Sequence, residues 1–174
     1  MNSRIYVACL ASSNAGKLFG KWIDANQSAD EIRAEISAML RESSEPGAEE
    51  WAVHDHEGFG EISLSEWPDI SRIAVIARLI EEHGDAFSLW YEAQDAQNVE
   101  VEELEEKFLE QWRGAHDSKE AFADYLLDTT GQLSEIPEWA RGYFNFEAYA
   151  RDLEMDGDYS FVHANGQIYA FSCH

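Results

Sequence analysis

Between Glu42 and Glu110 the chain carries twenty acidic side chains against three basic ones, Arg72, Arg78 and Lys107. An ionised carboxylate is not buried without a partner, so whatever this stretch folds into must hold its acids on the outside. The charge is uneven along the chain. Residues 1–41 hold five basic and four acidic side chains, and residues 111–174 hold four and eleven. The total is −23, yet aromatic residues make up 13% of the chain, too many for a disordered acidic tail. The acidity belongs to a folded surface, and a hydrophobic fraction of 45% can fill the core beneath it.

Self-repulsion on this scale opposes compaction and exceeds the roughly 2 to 8 charges that solubility of a small domain needs. The excess calls for a partner, and its sign excludes nucleic acid and an anionic membrane. A basic protein surface fits. No apolar run approaches the roughly 20 residues of a membrane span. Ile5 to Ala11, after Arg4, is too short for a secretory signal, so the expected location is the cytoplasm. Cys9 and Cys173 allow at most one bridge and read as free thiols.

Ile5–Leu10 is strand-like, with Leu18–Asp24 as its partner after the turn residues Asn14-Ala15-Gly16. Ser28 with Glu31 forms a capping box for a helix whose apolar stripe is Ile32, Ile36, Met39 and Leu40. Trp51-Ala52-Val53 reads as a third strand. After Pro68 the period becomes helical, through Ile70, Ile73, Ile76 and Ile80 to a stop at Gly84, and a second helix is expected from Asp85 to Gln94. Val101–Lys107 is short and glutamate-rich, and periodicity does not decide whether Phe108–Gly114 continues it or turns into a strand. Asp117 with Glu120 is a second capping signal, and Pro137 suits the first turn of a longer helix through Tyr149 and Leu153. Tyr159–His163 and Gln167–Ser172 flank Asn165-Gly166, the strongest short hairpin signal, because both turn residues need positive φ.

Motifs for chemistry fail on inspection. Gly16-Lys17-Leu18-Phe19-Gly20-Lys21 is one residue too short between its glycines for a phosphate loop and is followed by Trp22. Asp152, Glu154, Asp156 and Gly157 start like a calcium loop, but the twelfth position is His163, so a turn is expected. His54 and His56, on one strand face, supply two ligands where zinc takes four. No catalytic motif stands out, no cofactor or metal is expected, and Trp22, Trp51 and Trp139 read as core or interface residues.

Carboxylates three or four residues apart on a helix lie about 5 to 6 Å apart, while duplex DNA shows one charge per roughly 1.7 Å of axis. An acidic helix face therefore approximates the phosphates of one strand. Two copies of this chain carry the charge of about 80 Å of duplex.

The stretches IYVACLASSNAGKLFGKWIDA, EWAVHDHEGF, FADYLLDTTGQLSEIPEW and YFNFEAYARDLEMDGDYSFV together resemble the ArdA antirestriction family, DNA mimics carried by plasmids and transposons. The resemblance covers nearly the whole chain. One departure is Ser13, where the family pattern leads us to expect an aromatic. The resemblance implies an elongated α+β molecule of three small segments. Residues 1–67 are an α+β end with a three-stranded antiparallel sheet, 68–107 an acidic helical middle, and 108–174 a second α+β end whose terminal hairpin is joined by a strand over Phe108–Gly114. It also implies a homodimer, and as partner the methyltransferase core of a type I restriction-modification enzyme, whose DNA groove the mimic fills. We expect its binding surface to be distributed, with Glu61, Glu66, Asp69, Glu81, Glu82, Asp85, Glu92, Asp95, Glu102, Glu103, Glu105, Glu106 and Glu110 each substituting for a phosphate. Rival readings are a mimic aimed at another DNA-binding protein, an acidic cation-binding protein and a hydrolase using paired carboxylates.

Overall fold

The computed structural model of the chain describes residues 2–174 and is α+β, with two three-stranded antiparallel sheets and eight α-helices among those residues. It divides into two compact units, 1–104 and 105–174.

In the first unit β1 (Arg4–Cys9) is the central strand of a sheet ordered β2-β1-β3, with β2 spanning Gly20–Asp24 and β3 Trp51–Glu57. Ile5, Val7 and Ile23 are fully buried, while Arg4 is exposed and Tyr6 half-buried, the alternation that a sheet covered on one face demands. A short helix, α1 (Leu10–Asn14), separates β1 from the expected turn. The cover is α2 (Ala29–Arg41), started by the capping box of Ser28 and Glu31 and burying Ile32, Ile36 and Met39. Each such side chain contributes roughly 1.5 to 3 kcal/mol by leaving water.

The helices α3 (Ile70–His83) and α4 (Asp85–Ala93) belong to the same unit. Asp69 caps α3 by accepting from the Ser71 amide at 3.0 Å. Ile70, Ile73, Ile76, Ala77 and Leu79 are buried on one side of α3, and Phe87, Trp90 and Tyr91 on one side of α4. Gly84 alone joins the two helices, at φ 62° and ψ −143°, a conformation open essentially only to glycine. Two 3₁₀ turns, Ala96–Asn98 and Val101–Glu103, follow.

The third strand of the second sheet starts later than the family resemblance led us to expect. Leu104 and Phe108, one helical turn apart, are both fully buried, so α5 (Leu104–Gln111) stays helical and β4 covers Trp112–His116 rather than Phe108–Gly114. The second sheet is ordered β4-β6-β5, with β5 (Tyr159–Ala164) and β6 (Gln167–Ser172) forming the expected hairpin. Its turn residues Asn165 and Gly166 have φ of 52° and 72°.

One face of this sheet packs on α6 (Lys119–Thr129) and α8 (Phe146–Met155), around Phe122, Leu153 and Ala170. The Phe122 ring meets Tyr159 and Phe161 edge-on at 5.1 and 5.3 Å. On the other face Trp112 lies 6.1 Å from Phe108, 5.7 Å from Tyr169 and 5.2 Å from Phe171. Two further expectations shift. The cap of α6 is Ser118, whose hydroxyl accepts from the Ala121 amide, and not Asp117. The helix expected from Pro137 through Leu153 is broken into α7 (Glu138–Arg141) and α8, because Asn145 accepts from the Ala148 amide and starts a new helix.

Candidate partner-binding surface

Ten of the thirteen nominated carboxylates lie in the first unit. Glu61 and Glu66 sit on the connection from β3 to α3, where the Glu66 carbonyl accepts from the Val53 amide at 2.8 Å and ties the loop to β3. Asp69 is the α3 cap, so this one acid also holds up the fold. Glu81 and Glu82 end α3, Asp85 opens α4, Glu92 is in its last turn, and Asp95 stands in the left-handed region at φ 50°. Glu102 and Glu103 lie on the second 3₁₀ turn. The second unit holds Glu105, Glu106 and Glu110 on α5, with Glu106 and Glu110 one helical turn apart. All are exposed except Glu105, which is half-buried.

Ion pairs occupy some of the chain's acids and leave others without a partner, inside and outside this set alike. Arg4 pairs with Glu57, Lys17 with Glu45, Lys21 with Glu35 at 2.9 Å and Arg33 with Asp30 at 3.2 Å, all outside the nominated set. In the second unit Lys119 pairs with Glu154 at 2.6 Å. Within the set, Arg78 reaches Glu82 at 3.1 Å, Asn26 donates to Glu81, and Gln97 donates to Asp95 at 2.6 Å. No hydrogen bond or ion pair among the described residues engages the carboxylates of Glu61, Glu66, Glu92, Glu102, Glu106 or Glu110.

Asp69 caps α3, and Asp85, Glu105 and Glu106 lie in first turns where the dipole favours acid, but three other positions oppose helix stability. A carboxylate near a helix C-terminus opposes the macrodipole at a cost of about 0.3 to 1 kcal/mol. Glu81, Glu82 and Glu92 all sit there, and α4 has no basic residue in its last turn to offset Glu92. Glu106 and Glu110 add a like-charge pair at the spacing that destabilises an isolated helix.

The shifts in ionisation equilibria fall elsewhere. Donation from the Gln27 amide, and then from Lys21, holds the Glu35 carboxyl below the usual range, and Glu35 in turn raises Lys21. The Glu31 carboxyl is lowered by the Ser28 backbone amide of the capping box. Burial raises the Tyr149 hydroxyl.

The two histidines of β3 do not share a ligand-bearing face. The register against β1 slips between Tyr6 and Val7, so that His54 is the extra residue of a bulge and points to solvent. His56 lies edge-on to Phe59 at 5.8 Å, and its Nε2 accepts from the Leu64 amide at 3.4 Å. Gly157, at φ 80°, turns the chain out of α8 into β5, the turn expected of the calcium-like stretch. In the second unit a concavity of about 710 Å³ is lined by Asp117, Lys119, Glu120, Glu147, Arg151 and Glu154, and its cations are taken up by Glu154 and by Asp152. Cys9 is buried and Cys173 exposed, and both are free. Of the two readings given for Trp139 the core one fails, since it is exposed, and Trp67 is exposed as well, which no periodic pattern marks.

What the geometry defines is a folded scaffold bearing unneutralised carboxylates. A family model described as antirestriction protein (ArdA) matches residues 5–166, and the chain belongs to that family. Membership implies an antirestriction function, in a family of non-catalytic inhibitors. No curated protein gives a significant match. No helix among the described residues is long and apolar enough to cross a membrane.

Proposed function

We propose that the chain is an acidic mimic of double-stranded DNA that occupies the DNA-binding groove of type I restriction-modification enzymes, at their methyltransferase core. The observation that carries this reading is the set of exposed carboxylates without intrachain partners, one of which, Glu92, is placed against the helix dipole. A fold gains nothing from such acids, and a partner lined with lysine and arginine does.

In this mechanism the basic side chains that hold phosphates pair instead with carboxylates, and long-range attraction raises the rate of encounter. Shape and charge are copied while base edges are not, so inhibition extends across enzymes of differing recognition sequence. The protein acts in the cytoplasm, as a homodimer, and protects incoming DNA on a mobile element. It needs no cofactor.

The test is displacement. Titrated into a type I methyltransferase core bound to labelled duplex carrying its site, the protein should release the duplex stoichiometrically, and less tightly as salt rises. Folded protein that releases no duplex would redirect the reading to another DNA-binding target.

A further inference from the structure

We infer that the groove beside Trp67 is a second recognition element, which takes an apolar side chain from a basic segment of the protein partner. The inference rests on the mimic reading and adds to it a contact that no phosphate could make.

Trp67 is 67% exposed, so the core does not hold its indole. It forms part of a groove of about 320 Å³ in the first unit, whose accessible apolar surface is the indole with the half-buried Leu64 and Pro68, over the buried Ile62, Ile73 and Ile76, and whose polar lining includes Ser63, Ser65 and Gln97. Arg72 also lines the groove, but its guanidinium is committed to the Tyr91 hydroxyl at 2.9 Å and to the carbonyls of Ala96 and Val99. Acid adjoins the lining residues along the chain. Glu61 precedes Ile62, Glu66 precedes Trp67, and both carboxylates are exposed and unpartnered, while Asp69 itself lines the groove.

Charge complementarity selects the occupant. Nucleic acid and anionic lipid are repelled by Asp69 in the lining and by Glu61 and Glu66 next to it along the chain, and an uncharged apolar peptide leaves these acids unused. A protein segment that places an apolar side chain beside arginine or lysine satisfies both parts, with the cation free to stack on the indole face. Aromatic side chains in such pockets dominate interface energies, and their contribution, unlike that of exposed charge pairs, survives high salt.

Salt therefore separates the two kinds of contact in the displacement titration, run on the full-length protein against the methyltransferase core with bound labelled duplex. Trp67→Ala should weaken displacement by roughly tenfold, and by a similar factor at low and at high salt, as loss of an aromatic anchor does. Trp67→Phe should stay within about threefold of wild type. The double variant Glu61→Gln, Glu66→Gln should lose affinity at low salt and converge on wild type at high salt. A Trp67→Ala midpoint equal to wild type at both salts, with wild type active, would overturn the groove and leave the mimic standing. A deficit confined to low salt would also overturn it, as would a variant that no longer folds, since Trp67 would then be structural. Failure of the wild type to displace duplex would remove the mimic reading and this inference with it.

Discussion

The Lys21 ammonium lies 2.9 Å from the Glu35 carboxylate, joining β2 to the helix that covers the first sheet. Glu35 and Glu31 have folded pKa values below the unfolded value of about 4.3, so their contribution to stability is complete above that pH and is lost as pH falls through the lowered values. Lys21 has a raised folded pKa, so its contribution is complete below about 10.4 and is lost as pH rises through the raised value. Lys21→Met should therefore lower the melting temperature between pH 5 and about 9, and the decrement should shrink as pH falls further and Glu35 protonates. A constant decrement at all pH values would show that Lys21 acts through its stem. The pair is partly exposed, so the effect is small.

Gly84→Ala tests the joint between α3 and α4. No atom lies within 4 Å of the added methyl, so only backbone strain is introduced, at a cost of about 1 to 3 kcal/mol. Urea denaturation should show the midpoint falling with an unchanged slope.

Phe122→Ala should cost about 3 to 5 kcal/mol, because the ring is fully buried against Tyr159 and Phe161. Hydrogen exchange should speed up in α6, α8 and the terminal hairpin. Protection equal to wild type there would contradict the packing described for the second sheet.

Salt should act on the fold and on inhibition with opposite signs. Screening relieves the self-repulsion of a chain at −23, so the melting temperature should rise between low and moderate sodium chloride while displacement of duplex weakens. Both are read from one salt series.

Single charge removals should be nearly silent in a distributed surface. Glu106→Gln should leave the displacement midpoint within about twofold, and Glu92→Gln should slightly stabilise α4, by a few tenths of a kcal/mol, by removing a charge that opposes its dipole. Abolition of inhibition by either change alone would contradict the distributed picture.

The sequence by itself determined everything that depends on neighbours along the chain. The capping box at Ser28, the stop at Gly84 and the Asn165-Gly166 turn are local rules obeyed within a few residues, and each recurs in the structure. The concentration of acid between Glu42 and Glu110 was equally legible, because a charge without a partner must face water wherever the chain goes. Tertiary structure decided the rest. Phe108 is helical because burial of its ring on the same side as Leu104 outweighs an ambiguous local pattern, and His54 leaves the plane of its strand because the register to β1 slips beside it. Which carboxylates remain unneutralised was likewise beyond local reading, since Arg4 finds Glu57 and Lys17 finds Glu45 only once distant segments meet. Local propensity sets the elements, whereas partners for charge and exposure for an indole such as Trp67 are consequences of packing between residues far apart in the chain.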